Sequence, residues 1–464
     1  MRRTYLCCVN QMTVIQDTIC ALATPNGTGA IALIRVSGPQ SLAVLGSIFS
    51  KKLANVSSHS VHFGTVHDSK GELIDEVLVT VFHLGKSFTG EESVEISCHA
   101  SPFIQQQILQ VLSVNGCRLA EPGEFTMRAF MNGKLDLSQA EAVADLIASQ
   151  SRQAHNVALK QLRGGFSSEL KTLREQLIHF ASLVELELDF AEEDVEFADR
   201  SELKALVTEV IRIVNRLAAS FELGNAIKNG VPVAIVGAPN TGKSTLLNCL
   251  LGEDRAIVSN IAGTTRDVIE ETLNLDGILF RLIDTAGIRE GAEEIEALGI
   301  ERSREKIRQA SIVLCLEEAN NNVALQNVVV WAKELRSAHP DKKILVVANK
   351  IDQSDDSEQL SDLQISAKEG LGIDALKKRL VAEVTGDFNL SDETIVSNAR
   401  HHAALLSTAR ELQKALNGLE TGVSADFVAM DIRSAMRYLG NITGQIDVDT
   451  DILGTIFSKF CIGK

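Results

Sequence analysis

Eight residues near the middle of the chain, Gly237-Ala-Pro-Asn-Thr-Gly-Lys-Ser244, carry the spacing of a phosphate-binding loop, G-x-x-x-x-G-K-S. They follow the apolar run Val233–Val236 and precede the helix-like stretch Thr245–Leu251, the strand–loop–helix setting that such a loop requires. Gly237 and Gly242 let the backbone wrap closely around phosphates, and free amides at the helix start point at the anion. Lys243 is expected to reach the outer phosphates and the Ser244 hydroxyl to bind magnesium, with Asn240, Thr241 and Thr245 completing the cradle. The implied ligand is a nucleoside triphosphate with magnesium.

Three further segments narrow the base to guanine. Asp284-Thr285-Ala286-Gly287 follows the strand-like Phe280–Ile283. Its carboxylate suits a position near magnesium, and Gly287 lets an amide approach the terminal phosphate. Asn349-Lys350-Ile351-Asp352 follows Ile344–Ala348. The Asp352 carboxylate can accept from the ring N–H and the exocyclic amine of guanine; adenine offers neither donor at that edge, so the acceptor is left unmatched. Ser366-Ala367-Lys368 follows another short apolar turn and braces the base. Each segment alone is weak; four in this order, each on a strand end, point to a GTPase. Gly263-Thr-Thr-Arg-Asp267 falls where a magnesium-coupled switch belongs, and Thr265 is the candidate hydroxyl.

The residue after Gly287 is Ile288, where a Ras-like enzyme carries a Gln that orients the attacking water. An aliphatic side chain cannot do so, which leaves the acidic Glu290, Glu293, Glu294 and Glu296 as candidates. An arginine supplied to such a site contributes about 10³–10⁵ in rate, so a self-sufficient enzyme needs a substitute cation. Asn240 either offers its amide oxygen to a monovalent cation or serves as a turn-former after Pro239.

The elements that must position these residues follow from periodicity. Ile31–Val36 and Val77–Phe82 read as strands and Ile104–Val114 as a helix, an α+β pattern. From Ser138 the pattern turns helical: Ser138-Gln-Ala-Glu141 has the form of a capping box, and Ala140, Val143, Ala144 and Ile147 repeat at helical spacing. Helical pattern, broken near Gly164-Gly165, continues to about Leu223, and Gly224–Gly230 reads as a linker. An α/β segment then runs from Val231 to about Gly386, and helix returns from about Asn398 to Phe460. The expected organisation is an α+β domain at 1–132, a helical domain at 133–228 and 388–464, and an α/β P-loop domain at 229–387 inserted into it. Such an insertion requires ends that lie close together. The acidic run Glu185–Glu196 reads as a solvated face or turn.

Composition bounds the rest. The 464 residues allow two to four domains, and no apolar run approaches the ~20 residues of a membrane span. The basic start Met1-Arg-Arg-Thr-Tyr-Leu-Cys-Cys-Val-Asn10 has too short an apolar stretch for a secretory core, and residues 1–11 are expected to be disordered. The 8 cysteines show no paired metal spacing, which points to reduced thiols and a cytoplasmic protein. A net charge of −16 excludes a generally nucleic-acid-coating surface. No G-x-G-x-x-G follows a strand, so a flavin or nicotinamide group would sit on another protein. Cys461, fourth from the last residue, reads as a buried thiol anchored by Phe457 and Phe460 or as a nucleophile or proton-transfer group; Gly463 and Lys464 do not suit prenylation.

Asn240, Gly263–Asp267, Asp284-Thr-Ala-Gly-Ile-Arg289 and the terminal Cys461-Ile-Gly-Lys464 resemble the MnmE (TrmE) family of tRNA-modification GTPases. The resemblance continues through Ile34-Arg-Val-Ser-Gly38, Phe88-Thr-Gly-Glu91, Pro122-Gly-Glu-Phe125 and Leu135–Ala142, and covers nearly the whole chain from Ile15. It implies potassium-activated GTP hydrolysis with dimerisation of the G domains. By position, Asn240, Ser259, Ile261 and Thr264 would hold potassium, Ser244 and Thr265 magnesium, Glu296 the attacking water, and Arg289 would belong to the second switch. It further implies a homodimer and an FAD- and NADH-using partner of the MnmG type, joined in a heterotetramer or larger complex. Together they would add an aminomethyl or carboxymethylaminomethyl group at C5 of the tRNA wobble uridine. The one-carbon unit would come from 5-formyl- or 5,10-methylene-tetrahydrofolate held by Arg35, Glu95, Lys134 and Lys464, with Cys461 needed for the modification. One departure stands out: Cys98-His-Ala-Ser-Pro102 replaces the family's Gly-His-Gly-Gly-Pro, and added Cβ atoms oppose close approach of a ligand to that backbone. An Era-type ribosome-assembly GTPase shares the nucleotide motifs but not the terminus, and a pure GTP-gated dimeriser would not need Cys461. Hydrolysis is expected to be much faster in potassium than in sodium at equal ionic strength; equal phosphate-release rates would remove the cation from the site.

Overall fold

The computed structural model describes residues 17–53, 55–189, 200–254, 271–283, 305–353, 360–386, 388, 394–445, 456–457, 460 and 463. The chain divides into two compact units, one of 1–144, 161–171 and 439–464, the other of 145–160 and 172–438.

The first unit is built on β1 (Thr18–Leu22), β2 (Ile31–Ser37), β3 (Ser60–His67), β4 (Leu73–Phe82), β5 (Ser93–His99) and β6 (Cys117–Leu119). They form one sheet in the order β3-β4-β5-β2-β1-β6. Neighbours are antiparallel except β1 and β6. Alternation of side chains across the pleat sends Ala32, Ile34 and Val36 to one face and Leu33 and Arg35 to the other. The first face packs under α1 (Ser41–Ile48) and α2 (Pro102–Val114) through Val44, Leu45, Ile108 and Leu112. On the other face Ile19 and Ala21 meet Phe125 of α3 (Glu124–Met131). Strand β4 begins four residues before the expected Val77, because Leu73–Glu76 continue its pairing with β3 past the charged positions.

Helix α4 (Leu137–Ala148) has a capping box in a different frame from the one expected. Asp136 Oδ1 accepts the Gln139 N–H at 2.9 Å, and Gln139 Oε1 accepts the Asp136 N–H at 2.9 Å. Ser138 lies inside the helix, and its hydroxyl donates to Asp136. Leu137, Ala140 and Val143 of this helix pack with Phe457 and Phe460, while Ile147 is exposed.

The second unit opens with α5 (Arg152–Leu162) and α6 (Gly165–Asp189) in part, followed by α7 (Arg200–Ala219) and α8 (Phe221–Asn229). The expected linker at Gly224–Gly230 is instead the body of α8, and the helix stops only at Gly230, φ +77°. Gly224 is there for contact and not flexibility: a Cβ on it would stand 2.1 Å from the Val396 carbonyl oxygen. The side chains of the acidic run Glu185–Glu196 lie outside the described residues.

Strands β7 (Val231–Gly237), β8 (Glu271–Leu275), β9 (Ile278–Leu282), β10 (Ile312–Glu318), β11 (Lys343–Asn349) and β12 (Leu363–Gln364) make a second sheet, ordered β12-β11-β10-β7-β9-β8. It is parallel apart from the β8–β9 hairpin, whose Asp276-Gly277 turn has φ of +50° and +82°. Strands buried on both faces read as continuous apolar runs. One face receives Leu246, Leu247 and Leu250 of α9 (Lys243–Asp254) and Leu376 and Leu380 of α11 (Ile373–Thr385), and the other Leu325 and Ala332 of α10 (Asn322–Ala338).

After this α/β segment the chain returns to helix as expected, in α12 (Ala399–Thr421) and α13 (Ala425–Thr443), parted at Gly422, φ +72°. Helix α12 packs along α7. The Val396 N–H donates to Ser220 Oγ at 3.0 Å, so the exit of the α/β segment lies beside its entry. The α/β domain is inserted into a helical one.

Gly224→Ala is expected to cost roughly 1–3 kcal/mol, the range for forced overpacking, read by urea unfolding. Gly252→Ala in α9 meets open space and should be neutral or stabilising; equal effects at the two glycines would refute the close contact.

Candidate functional site

Three of the four expected nucleotide segments stand at the carboxyl ends of strands in the parallel sheet, and the fourth, Asp284–Gly287, is placed only by its sequence position after β9. The phosphate loop follows β7, which lies between β9 and β10, where the sheet order reverses. Open α/β sheets bind ligands at that crevice. Asp284–Gly287 follows β9, Asn349–Asp352 ends β11, and Ser366–Lys368 follows β12.

The loop's conformation explains its composition. Asn240 has φ +64° and Gly242 φ +96°, both left-handed. A Cβ on Gly237 would sit 2.2 Å from the Leu316 oxygen, and one on Gly242 2.2 Å from the Asn349 side-chain nitrogen. Both glycines are therefore required by close approach. Buried Thr241 donates through its hydroxyl to the Ala238 oxygen at 2.9 Å and fixes the turn. Lys243 Nζ donates to the Gly237 and Ala238 oxygens at 3.0 and 2.6 Å, across the mouth of the loop. Burial pushes the Lys243 ammonium below the usual lysine range, with Lys306 acting the same way and Glu317 opposing. Ser244 and Thr245 are exposed on the first turn of α9, and a helix start of this kind suits an anion.

Asn349 is 2% exposed and joins two segments. Its Nδ2 donates to the Thr241 oxygen at 2.8 Å, and its Oδ1 accepts the Ala367 N–H at 3.0 Å. The phosphate loop and the base-bracing turn thus hang on one amide. Asp352 is exposed, and a hydrogen bond from Ser366 holds its carboxyl below the usual range, so it is an anion ready to accept from a base. Lys350, φ +63°, pairs with Glu318, and Lys368 is exposed. The sequence reading missed Glu317 and Glu318; two carboxylates ending an apolar strand, as in the other strand-end motifs, were the available signal.

In the first unit Arg35 and Glu95 face each other across β2 and β5 and form an ion pair at 2.8 Å. The Arg35 guanidinium lies 5.5 Å from the Phe88 ring centre and 5.7 Å from that of Phe125. Lys134 Nζ donates to the Gly85 oxygen at 3.0 Å, and its stem covers Gly90. Gly463 returns to the same sheet: a Cβ on it would lie 2.3 Å from the Leu22 oxygen, and Leu22 pairs with Ile34 beside Arg35. In the glycine-poor stretch Cys98 and Ala100 are buried, so their Cβ atoms fill core and not ligand space. His99 is exposed and bonded through Nδ1 to buried Asp75 at 2.8 Å.

Ser259, Ile261, Thr264, Thr265, Asp284, Thr285, Ala286, Gly287, Arg289, Glu296, Cys461 and Lys464 lie outside the described residues.

A parallel sheet with a phosphate loop at its switch point, tied through Asn349 to the Ser366–Lys368 turn, defines a P-loop G domain. Sequence profiles cover most of the chain: residues 137–461 match the MnmE helical domain, and residues 18–134 the N-terminus of the GTP-binding protein TrmE. A tRNA modification GTPase MnmE from Cytophaga hutchinsonii is 53% identical over 97% of this chain and 98% of its own length. One from Christiangramia forsetii is 50% identical over 97% of this chain and 100% of its own. The chain belongs to the MnmE family of tRNA modification GTPases.

Asn349→Ala removes both of its buried hydrogen bonds. It is expected to cost about 1–3 kcal/mol for the orphaned groups and to weaken guanine-nucleotide binding, measured by fluorescence titration. Undiminished affinity in a folded variant would show that the link does not organise the site.

Proposed function

We propose that this chain is a potassium-activated GTPase that works with an FAD-dependent partner to place an aminomethyl or carboxymethylaminomethyl group at C5 of the wobble uridine of certain tRNAs. The observation that carries the GTPase half is the Asn349 bridge, because it brings the phosphate loop and the base-reading segments into one site. The tRNA half rests on the family, whose members are named tRNA modification GTPases.

The described residues fit the nucleotide. Lys243 and the first turn of α9 meet the phosphates, and Asp352 meets the two guanine donors. Magnesium would take the Ser244 hydroxyl with Thr265, and would neutralise charge between the outer phosphates. Potassium would take the amide oxygen of Asn240, whose left-handed backbone exposes the side chain at the loop. Ser259, Ile261 and Thr264 would complete that site as two G domains pair. Glu296 would orient water where Ile288 cannot, and Arg289 would move with the second switch.

The Arg35–Glu95 pair fits a tetrahydrofolate: a guanidinium for its glutamate carboxylate, a carboxylate for the amide-like pterin edge, and the exposed part of Phe88 for ring contact. Lys134 and Lys464 would add cations, and the approach of Gly463 to Leu22 supports the tail's delivery of Cys461 to that face. A homodimer, a cytoplasmic setting and FAD and NADH on an MnmG-type partner complete the reading. Among the described residues no helix is long and apolar enough to cross a membrane.

Mass spectrometry of tRNA nucleosides from cells with and without the gene tests the reading. Loss of C5-aminomethyl-type wobble uridines, restored by wild type but not by Cys461→Ser, is the expected result. An unchanged nucleoside profile would overturn the modification role and leave the GTPase standing.

A further inference from the structure

Helix α2 carries no charged residue from Pro102 to Val114. Its core side is ordinary, with Ile108, Val111 and Leu112 packed on the sheet. On the other side, where a surface helix ordinarily carries charge, Gln106 and Gln110 are exposed. They line a cavity of about 720 Å³, a size within the range of small-molecule sites. Leu22 and Leu119, the last residues of the parallel neighbours β1 and β6, line it too. No lining residue is charged. Gln105 reaches the cavity although it is 6% exposed. Its Nε2 donates to the Gly27 oxygen at a long 3.4 Å, and its amide oxygen has no partner among the described residues. A buried acceptor left open is costly, and a ligand with an N–H to give would satisfy it. Leu22 is also the residue that Gly463 packs against, so the C-terminal tail comes to an edge of the cavity.

An uncharged lining cannot hold a phosphate or a carboxylate by ion pairing. It offers leucines and primary amides, each amide with a donor and an acceptor side by side. A nucleobase has the matching surfaces: N–H and C=O groups together on its edge, and apolar faces. Glutamine reads such edges with two hydrogen bonds at once. The charge of the chain points the same way. A net charge of −16 gives RNA no general attraction, so a bound strand has to be held by its bases. Helix α2 adds no carboxylate to repel the flanking phosphates. Bases of single-stranded RNA loops are recognised splayed out of the stack. We propose that this cavity takes an unpaired nucleobase of tRNA, its edge read by Gln105 and Gln110 and its faces held by Leu22 and Leu119. The cavity lies on the α2 side of the sheet and the Arg35–Glu95 pair on the other, so it is a recognition pocket and not the place of the folate chemistry. This assignment rests on the tRNA reading of the chain and deepens it by giving the RNA a contact here.

The test is ultraviolet cross-linking of the full chain, with its FAD-dependent partner, to tRNA, followed by mass spectrometry of the joined peptides. Irradiation couples bases directly to the side chains they touch. The expected result is a nucleotide attached to α2 or to the Leu22–Gly27 segment. Gln105→Leu and Gln110→Leu keep the side chains' size and remove the amides. Each is expected to lower that cross-link and to weaken tRNA binding by about tenfold, the size of one lost amide–base pair, with GDP affinity and GTP hydrolysis unchanged. A merely structural role for Gln105 would lower the melting temperature and would not be reproduced at exposed Gln110, whose replacement leaves the core untouched. Wild-type tRNA affinity in the Gln110 variant, or cross-links confined to other elements, overturns the proposal. So does loss of partner co-purification with tRNA cross-linking intact, which would mark a protein-docking groove, and so does binding of free uridine as tight as that of tRNA. A wild-type complex that neither binds nor modifies tRNA would instead overturn the tRNA reading itself.

Discussion

The Asn349 side chain is the contact on which the nucleotide site depends. It ends a strand buried on both faces, and its single amide satisfies the Thr241 carbonyl on one side and the Ala367 amide on the other. Gly242 lacks a Cβ because that amide occupies the space. Lys243 follows Gly242 directly, so its reach toward phosphate is set by the same packing. The base-reading Asp352 lies three residues further along, on the short turn that the strand's end begins. Phosphate and base recognition are thus mechanically one object, and the buried polar bonds are costly to leave unmade.

Much of this site was legible because its chemistry sits at strand ends, where apolar runs stop and Gly, Asn, Asp and Lys begin. The periodicity of β2, the helical pattern of Ile104–Val114 within α2 and the break near Gly164 were readable in the sequence. Misreadings came where a local signal had two physical causes. Glycine marks either flexibility or close contact; Gly224 was taken for a linker and is a contact. Ser138 and Asp136 are both good helix caps two residues apart, and only the reciprocal bonds with Gln139 decide between them. Charged residues that meet only in space left no pattern. Arg128, 1% exposed, gathers Asp17 and Glu91 from separate segments beside its own helix neighbour Glu124, and nothing in the spacing announces the first two.

The first unit stores its polar chemistry on one face of its sheet. The Arg35–Glu95 pair lies between the rings on that face and a run of buried hydroxyls, where Ser37, Thr89 and Ser93 bond one another and Glu91. The opposite face is almost wholly apolar under α1 and α2. Such a division leaves one side free to evolve a ligand site while the other secures the fold, and the returning Gly463 comes to Leu22 at the end of β1.

The bond between the Val396 amide and the Ser220 hydroxyl has a consequence for how such a chain could arise. Where a domain enters and leaves its host through two adjacent points, the host's own helices need no rearrangement to accept it. Helix α12 already lies along α7 without any help from the sheet between them in sequence. The G domain is therefore a module that could be excised and the gap closed by a short turn.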